Sequence, residues 1–297
     1  MQQEDVFQAY KPLLFSIAYN MFGSVMDAED CVQDTFLRWY QASDNSETEV
    51  VRSPKAYLST IVTRLSIDQL RSTRVQREHY IGIWLPEPLI TIDETSVTGM
   101  AERSEALSMA FLHLLEQLSP MERAVFLWRQ VFDYEYQEIA AMVQKSEDNC
   151  RQIVRRARQH LSARRSLHHA SREQQATILH QFLRACTSGD MDGLLAVLTD
   201  DIVVYSDSGG KVPAARHPIS GADKVARFLL GMVRKMLDSF TSRVANINGQ
   251  LGLVHYNKNL PYAIMTLDSV NGRIQEIDIV ANPDKLRGVP THNEYTS

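Results

Sequence analysis

The chain has 297 residues, room for two or three domains, and its 44% hydrophobic and 23% charged residues match ordinary globular proteins, which excludes a wholly disordered polymer. A net charge of −5 excludes a protein that coats nucleic acid indiscriminately. No run of about 18 apolar residues offers a membrane span, and the acidic start Met1-Gln2-Gln3-Glu4-Asp5 is unlike a secretory signal, so a cytoplasmic protein without membrane partners is expected.

Cys31, Cys150 and Cys186 are far apart and form no CxxC pair, so they read as small buried hydrophobes, with no metal site and no cofactor expected. The charge is segregated. Six arginines and no acid fall between Arg151 and Arg165, whereas four acids and no base fall between Asp27 and Asp34, which implies different partners for different faces. Helical periodicity lapses at 81–88, where Pro86 and Pro88 bar a helix, and again at 166–171. Four spans follow: a helical domain at 1–80, a linker at 81–101, a second helical domain at 102–168 and a mixed α and β domain at 172–297.

In chain order, Val6, Tyr10, Leu13, Ile17 and Met21 make one apolar helical stripe. Ser24 caps a second helix with Ala28, Val32, Thr35, Phe36 and Trp39 inward, and Asp27, Asp30 and Asp34 share another of its faces. Ser53-Pro54 opens a third helix through Tyr57, Leu58, Ile61, Leu65 and Leu70, from which Arg64, Arg71, Arg74 and Arg77 project with Asp68 as the lone acid. With the polar loop 43–51, this face reads either as a solvated surface or as a cradle for a separated DNA strand.

Ser119-Pro120-Met121-Glu122 is a capped helix start, followed by Val125, Phe126 and Trp128. A short helix spans 136–143, the turn carries Gln144 and Lys145, and Ser146 caps a last helix. Cys150, Ile153, Val154, Ala157 and Leu161 face inward on it, while Asn149, Gln152, Arg155, Arg156 and Gln159 face out. This is either a plain packed helix pair or a helix-turn-helix whose Asn, Gln and Arg side chains match base edges, with arginines further along suited to phosphates.

Three stretches, Tyr10 to Phe15, Asp27 to Trp39 and Ser53 to Leu58, closely resemble region 2 of extracytoplasmic-function (ECF) sigma factors; Glu122 to Leu127, Tyr136 to Ala140 and Ser146 to Gln152 resemble region 4. The resemblance spans about residues 5–165 in the family's order. It implies docking on core RNA polymerase through Asp27, Glu29, Asp30, Asp34, Phe36 and Arg38. It further implies minus-ten recognition by Lys55, Tyr57, Arg64, Asp68, Arg71 and Arg74, and minus-thirty-five recognition by Ser146, Asn149, Arg151, Gln152, Arg155, Arg156 and Arg158. A glycine often stands where this chain has Gln144.

The third domain begins with helices around 178–186 and 191–198, a strand at 202–205 and a long helix at 221–237; the remainder alternates as strands, with Asn271-Gly272 a tight-hairpin turn. Helices on a curved antiparallel sheet resemble the SnoaL-like α+β cone, and the whole chain resembles the SigJ-type sigma factors that carry that extension. Trp84-Leu85-Pro86-Glu87-Pro88, Asp207-Ser208-Gly209-Gly210-Lys211 and Asn282-Pro283-Asp284-Lys285-Leu286 carry the resemblance, with Ser208 where the group usually has a third glycine. It implies an intramolecular regulator that contacts the sigma domains through Trp84, Leu85, Pro86, Asp207, Gly209, Gly210, Lys211, Asn282, Pro283, Asp284 and Lys285.

Tyr205, Asp207, His217, His255 and Asp268 are the proton-transfer candidates for a pocket enzyme, but their spacing demands no chemistry and a non-enzyme is expected. The two rival readings are a helix-turn-helix regulator acting without polymerase, and a ligand-modifying enzyme fused to a DNA-binding module. A small ligand of the third domain stays an open partner that no residue names.

Overall fold

Apolar residues three and four apart become helix throughout the first half of the chain. The computed structural model describes residues 2–44, 53–77, 80–91, 107–162, 171–236 and 240–293. Of the polar loop expected at 43–51, residues 43 and 44 end α2 and the rest lies outside the described residues, as do the later linker at 92–101 and Arg164 and Arg165. Two units form: Met1–Glu78, Thr95–Leu107 and Phe111–Arg165 make one, and His79–Glu94, Ser108–Ala110 and Ser166–Ser297 the other.

The first unit holds α1 (Gln2–Phe22), α2 (Val25–Asp44), α3 (Pro54–Arg77), α4 (Met109–Leu115), α5 (Pro120–Gln130), α6 (Tyr136–Val143) and α7 (Glu147–Ser162). On α1 the buried stripe runs through Phe7, Leu14, Ile17, Ala18 and Met21, one residue round the helix from the expected one, which leaves Val6, Tyr10 and Leu13 at its margin. Gly23, at φ +64°, turns the chain and returns its N–H to the Tyr19 carbonyl at 2.7 Å, and the Ser24 hydroxyl then caps α2 through the Asp27 N–H. Small residues let α2 and α3 approach closely, and the hydroxyls buried there return to backbone carbonyls, Thr35 to Cys31 and Ser66 to Val62.

Helix α5 brings the two helical sets together. Trp128 is buried and its Nε1 donates to Thr63 Oγ1 on α3 at 3.0 Å. Arg123, 3% exposed, donates to the carbonyls of Leu115 and of Met21 at the end of α1, and pairs with Glu116 at 2.8 Å. A buried guanidinium is tolerable where carbonyl ends and a carboxylate converge on it.

The second unit holds α8 (Arg172–Ser188), α9 (Met191–Val197) and α10 (Ala222–Met236), with strands β1 (Ile90–Thr91), β2 (Leu198–Asp207), β3 (Ile219–Ser220), β4 (Phe240–Ile247), β5 (Gln250–Asn257), β6 (Leu260–Val270) and β7 (Arg273–Val280), and a 3-10 turn at Pro283–Leu286. The sheet order is β1-β4-β5-β6-β7-β2-β3, antiparallel except for the parallel pair β2–β7. Alternating strand residues feed two cores. Leu253, Met265 and Ile277 join Leu179, Phe182, Val225 and Leu229 of the helices on one face; Val254, Tyr256, Ile264 and Val280 face the other way, onto Leu85 and Leu286. The early linker thus covers the face the helices leave bare. It also adds an edge strand, since Ile90 pairs with Ile247 and Leu89 exchanges hydrogen bonds with Asn248.

Candidate functional site

The outer face of α2 is acidic and partly apolar. Glu29, Asp30, Asp34 and Arg38 are exposed, and Asp27 is half-buried and accepts from Gln69 Nε2 at 3.3 Å. Phe36 turns inward instead, edge-on to Phe7 at 4.8 Å. Sequence reasoning passed over Met26, Leu37 and Tyr40, which are 65%, 49% and 56% exposed on the same outward stripe as Asp30. Three large apolar groups on one helix face, interleaved with carboxylates, form a surface suited to a protein partner. Their spacing of 11 and three residues was the available signal.

Helix α3 sets its charges in two environments. Asp68 and Arg71 are exposed and pair at 3.5 Å, and the side chain of Arg74 is not among those described. Nearer the start of α3, Tyr57 lies against Trp39, Lys55 Nζ stands 5.2 Å over the Tyr134 ring, and Arg64 Nε donates to the Met142 carbonyl at the end of α6. Two cations expected on the minus-ten face therefore touch the helix-turn-helix.

That motif is well formed. Glu138 returns to the Glu135 N–H at the start of α6, and Gln144 closes its end in the left-handed conformation, φ 54° and ψ 50°. Glutamine performs the turn usually given to glycine at a conformational cost of roughly 1–2 kcal/mol. The Ser146 hydroxyl is occupied as the cap of α7, accepting from the Asn149 N–H, so among the residues expected to read DNA it has a structural task. Cys150, Val154, Ala157 and Leu161 are buried, while Asn149, Gln152, Arg155 and Arg156 are exposed. The arginines differ: Arg158 donates twice to Gln130 Oε1 on α5, Arg151 pairs with Glu147 at 3.2 Å and stands 4.5 Å over the Tyr136 ring, and Arg155 and Arg156 make no hydrogen bond or ion pair among the described residues.

In the second unit, the residues quoted from the linker and the two loops come together around Asp207. This carboxylate, wholly buried, accepts from Tyr80 Oη at 2.5 Å, Leu85 N–H at 2.9 Å, Gly209 N–H at 3.0 Å and Lys285 Nζ at 2.7 Å. Lys285 also donates to the Leu85 carbonyl and lies 4.1 Å over the Trp84 ring. Asn282 donates to Tyr80 Oη at 2.8 Å, and its Oδ1 caps the turn that Pro283 opens. Burial, then the hydrogen bond to Asp207, push the Tyr80 hydroxyl far above the usual phenol range.

The glycines are positional. A Cβ on Gly209 would come 2.6 Å from Asn282 Nδ2, and one on Gly210 would come 2.9 Å from Ile81, with φ positive at both. Ser208 carries ordinary backbone angles, which is why a third glycine is dispensable. Lys211 pairs with Asp284 at the rim, Pro86 is buried, and the Lys211 hydrogen bond holds the Asp284 carboxyl below the usual carboxylate range. Sequence reasoning missed Tyr80, the hydrogen-bond partner shared by Asp207 and Asn282. Its position four residues before Trp84 was the only hint.

The proton-transfer candidates are dispersed. Asp207 is committed to the linker, His217 is exposed, and Tyr205 packs on the linker side of the sheet. His255 is buried on β5 with Nδ1 2.7 Å from Ser242 Oγ, and burial pushes its imidazole down to about 4.

Residues 6–75 match the family model for sigma-70 region 2, and residues 108–161 match that for sigma-70 region 4. Region 2 and region 4 in this order are those of a sigma factor, and the chain belongs to the ECF RNA polymerase sigma factors. It is 34% identical to the ECF RNA polymerase sigma factor SigJ of Mycobacterium tuberculosis, over 96% of this chain and 93% of that protein. The crystal structure of that SigJ matches with a TM-score of 0.77 and 31% identity, covering 96% of this chain and 98% of the other. A second relative, the probable ECF RNA polymerase sigma factor SigI of the same species, is 26% identical over 96% of this chain and 97% of its own length. The chain therefore directs promoter-specific transcription initiation, and the two rival functions are not favoured.

Proposed function

We propose that the chain grips core RNA polymerase with the outer face of α2, through Asp27, Glu29, Asp30, Asp34 and Arg38 together with Met26, Leu37 and Tyr40. Phe36 supports that face from behind. Lys55, Tyr57, Arg64, Asp68, Arg71 and Arg74 engage the opened minus-ten element; Asn149, Arg151, Gln152, Arg155, Arg156 and Arg158 engage the minus-thirty-five element, with Ser146 holding the helix that carries them. The third domain acts as a regulator in cis and performs no catalysis of its own.

One observation carries the regulatory part: the segment that joins region 2 to region 4 is bound at Asp207, Lys285 and Asn282 of the third domain. A linker held along one sheet face cannot extend freely, so the reach between the sigma regions depends on whether that anchor holds. The third domain contacts the sigma regions through this linker, and an effector that loosens the anchor changes promoter output.

Run-off transcription with purified core polymerase tests both parts. Charge reversal at Asp30 and Asp34 should abolish holoenzyme formation while leaving DNA contacts in α7 intact. Deleting 172–297, or replacing Asp207 with Ala, should change output at every promoter the full chain uses; unchanged output across promoters removes the regulatory reading.

A further inference from the structure

Six cations crowd α7 and its end in the sequence, but the structure does not treat them alike. Arg155 and Arg156 extend into solvent with no hydrogen bond or ion pair among the described residues, Arg156 lying only within electrostatic range of Glu122. Arg151 is held on two sides: Glu147, one turn earlier on α7, takes its Nη2 at 3.2 Å, and the ring of Tyr136, the first residue of α6, lies 4.5 Å beneath its guanidinium carbon. Tyr136 is held in turn. Arg129 stands 5.3 Å over the same ring and is itself fixed by the Tyr134 carbonyl at 3.0 Å, Asp133 at 3.2 Å and Glu135 at 3.4 Å. A chain of contacts thus runs from the end of α5, through the start of α6, to the first turns of α7.

Phosphate recognition needs only a mobile positive charge, whereas guanine recognition needs a guanidinium whose plane is set so that two N–H groups meet O6 and N7 together. The N-terminal turns of a recognition helix are the part that approaches base edges, and Arg151 is the fifth residue of α7. Fixing a long side chain before binding removes the entropy that ordering it would otherwise cost.

We infer that Arg151 is the base-reading arginine of the minus-thirty-five helix, that it recognises a guanine, and that Tyr136 and Glu147, braced by Arg129, are positioning residues that set its plane. Arg155 and Arg156 supply the sequence-independent phosphate term. The inference rests on α7 being the minus-thirty-five helix, and it adds three residues outside the recognition helix's exposed arginine set to the determinants of promoter choice.

The test uses the full chain with core polymerase and a promoter set carrying each base at every minus-thirty-five position, with initiation measured over a range of salt concentrations. Arg151→Ala should flatten the preference at one guanine by roughly 5- to 150-fold and leave the other positions unchanged. Tyr136→Leu should relax the same position, by about tenfold or less, while Tyr136→Phe, which keeps the ring, retains wild-type discrimination. Arg155→Gln should lower output evenly across the set and reduce the salt slope by about one.

Arg151 is exposed, so loss of folding does not confound its replacement, and Tyr136→Phe controls for the packing of α6. If Arg151→Ala instead weakens all promoters equally and lowers the salt slope, Arg151 is a phosphate contact and the inference falls. If Tyr136→Leu keeps full discrimination at the position Arg151 reads, the positioning role falls. A wild-type protein indifferent to every minus-thirty-five base sinks the assignment of α7 itself, an outcome distinct from the other two.

Discussion

At the scale of single residues, the second unit contains a titratable group whose burial has a measurable cost. His255 sits under the helices of that unit with its Nδ1 on Ser242, and its imidazole is pushed from the ordinary 6.5 down to about 4 by burial. Above pH 6.5 the ring is neutral in both folded and unfolded chains, and its contribution to stability is complete. As pH falls below 6.5 the unfolded chain binds a proton that the folded one refuses, so stability declines until the folded ring itself titrates near 4. Denaturant unfolding of the second unit should show about 2 kcal/mol less stability at about pH 5 than at about pH 7, a loss that His255→Phe removes. Equal slopes in the two proteins would mean that the ring is solvated and titrates normally. Asp207 illustrates the opposite arrangement, a buried carboxylate that accepts from three N–H donors and a phenol. Its place in the sequence motif was legible; its partner Tyr80 was not, because nothing local links residues that far apart.

At the scale of elements, what could be read from the sequence follows the range of the interactions. Helices α2, α3, α5 and α7 are visible because a repeat of three and four residues and an N-cap are local properties, and their starts at Val25, Pro54, Pro120 and Glu147 follow the capping serines 24, 53, 119 and 146. Strand β2 runs from Leu198 to Asp207, longer than its apolar run, because its length is set by parallel pairing with β7 across an irregularity between Leu198 and Val203. Strand β1 has two residues and no period to display; it exists because Asn248 holds Leu89. Asn271-Gly272 was read as a hairpin turn, and the same dipeptide at Asn248-Gly249 makes the β4–β5 turn with both residues at positive φ. The two turns differ in one respect that yields a prediction. Asn248→Ala deletes a turn residue and also the Oδ1 that accepts the Leu89 N–H, so amide exchange at 89–91 should speed by about tenfold or more, whereas Asn271→Ala should leave those amides protected. Equal protection in both variants would show that β1 is held by apolar packing of Ile90 alone.

At the scale of the molecule, the first unit holds the two helices proposed to read the promoter close together. The minus-ten and minus-thirty-five elements are about 25 base pairs apart by name, or ~85 Å along the duplex at about 3.4 Å per pair. Here Arg64 of α3 is hydrogen-bonded to α6 at 3.2 Å, and α7 packs directly on α6, so α3 and α7 are separated by no more than two helix layers of about 8–10 Å each. With α3 and α7 in the roles proposed for them, regions 2 and 4 must part before both elements are read. Two buried polar contacts lie between them beside Arg64 on Met142 and Lys55 over Tyr134: Arg123 on the Met21 carbonyl at 2.6 Å, and the Trp128 indole on Thr63 at 3.0 Å. The sequence did not disclose them, since Arg123 and Trp128 lie in an ordinary helical stripe and their partners are on other helices. Trp128→Phe keeps the ring and deletes one buried hydrogen bond, worth about 1 kcal/mol, while Arg123→Met removes a charged one of about 1.5–3 kcal/mol. If closure competes with polymerase, both variants should bind core enzyme more tightly, by roughly fivefold for Trp128→Phe and tenfold or more for Arg123→Met, since each 1.4 kcal/mol is a factor of about ten. Fluorescent labels at Gln8→Cys and Gln137→Cys, exposed positions outside the proposed binding faces, should report a longer separation in the free variants than in the parent and the same long separation for all in the holoenzyme. Unaltered distances together with unaltered affinity would show that closure is held elsewhere than at this pair of buried contacts.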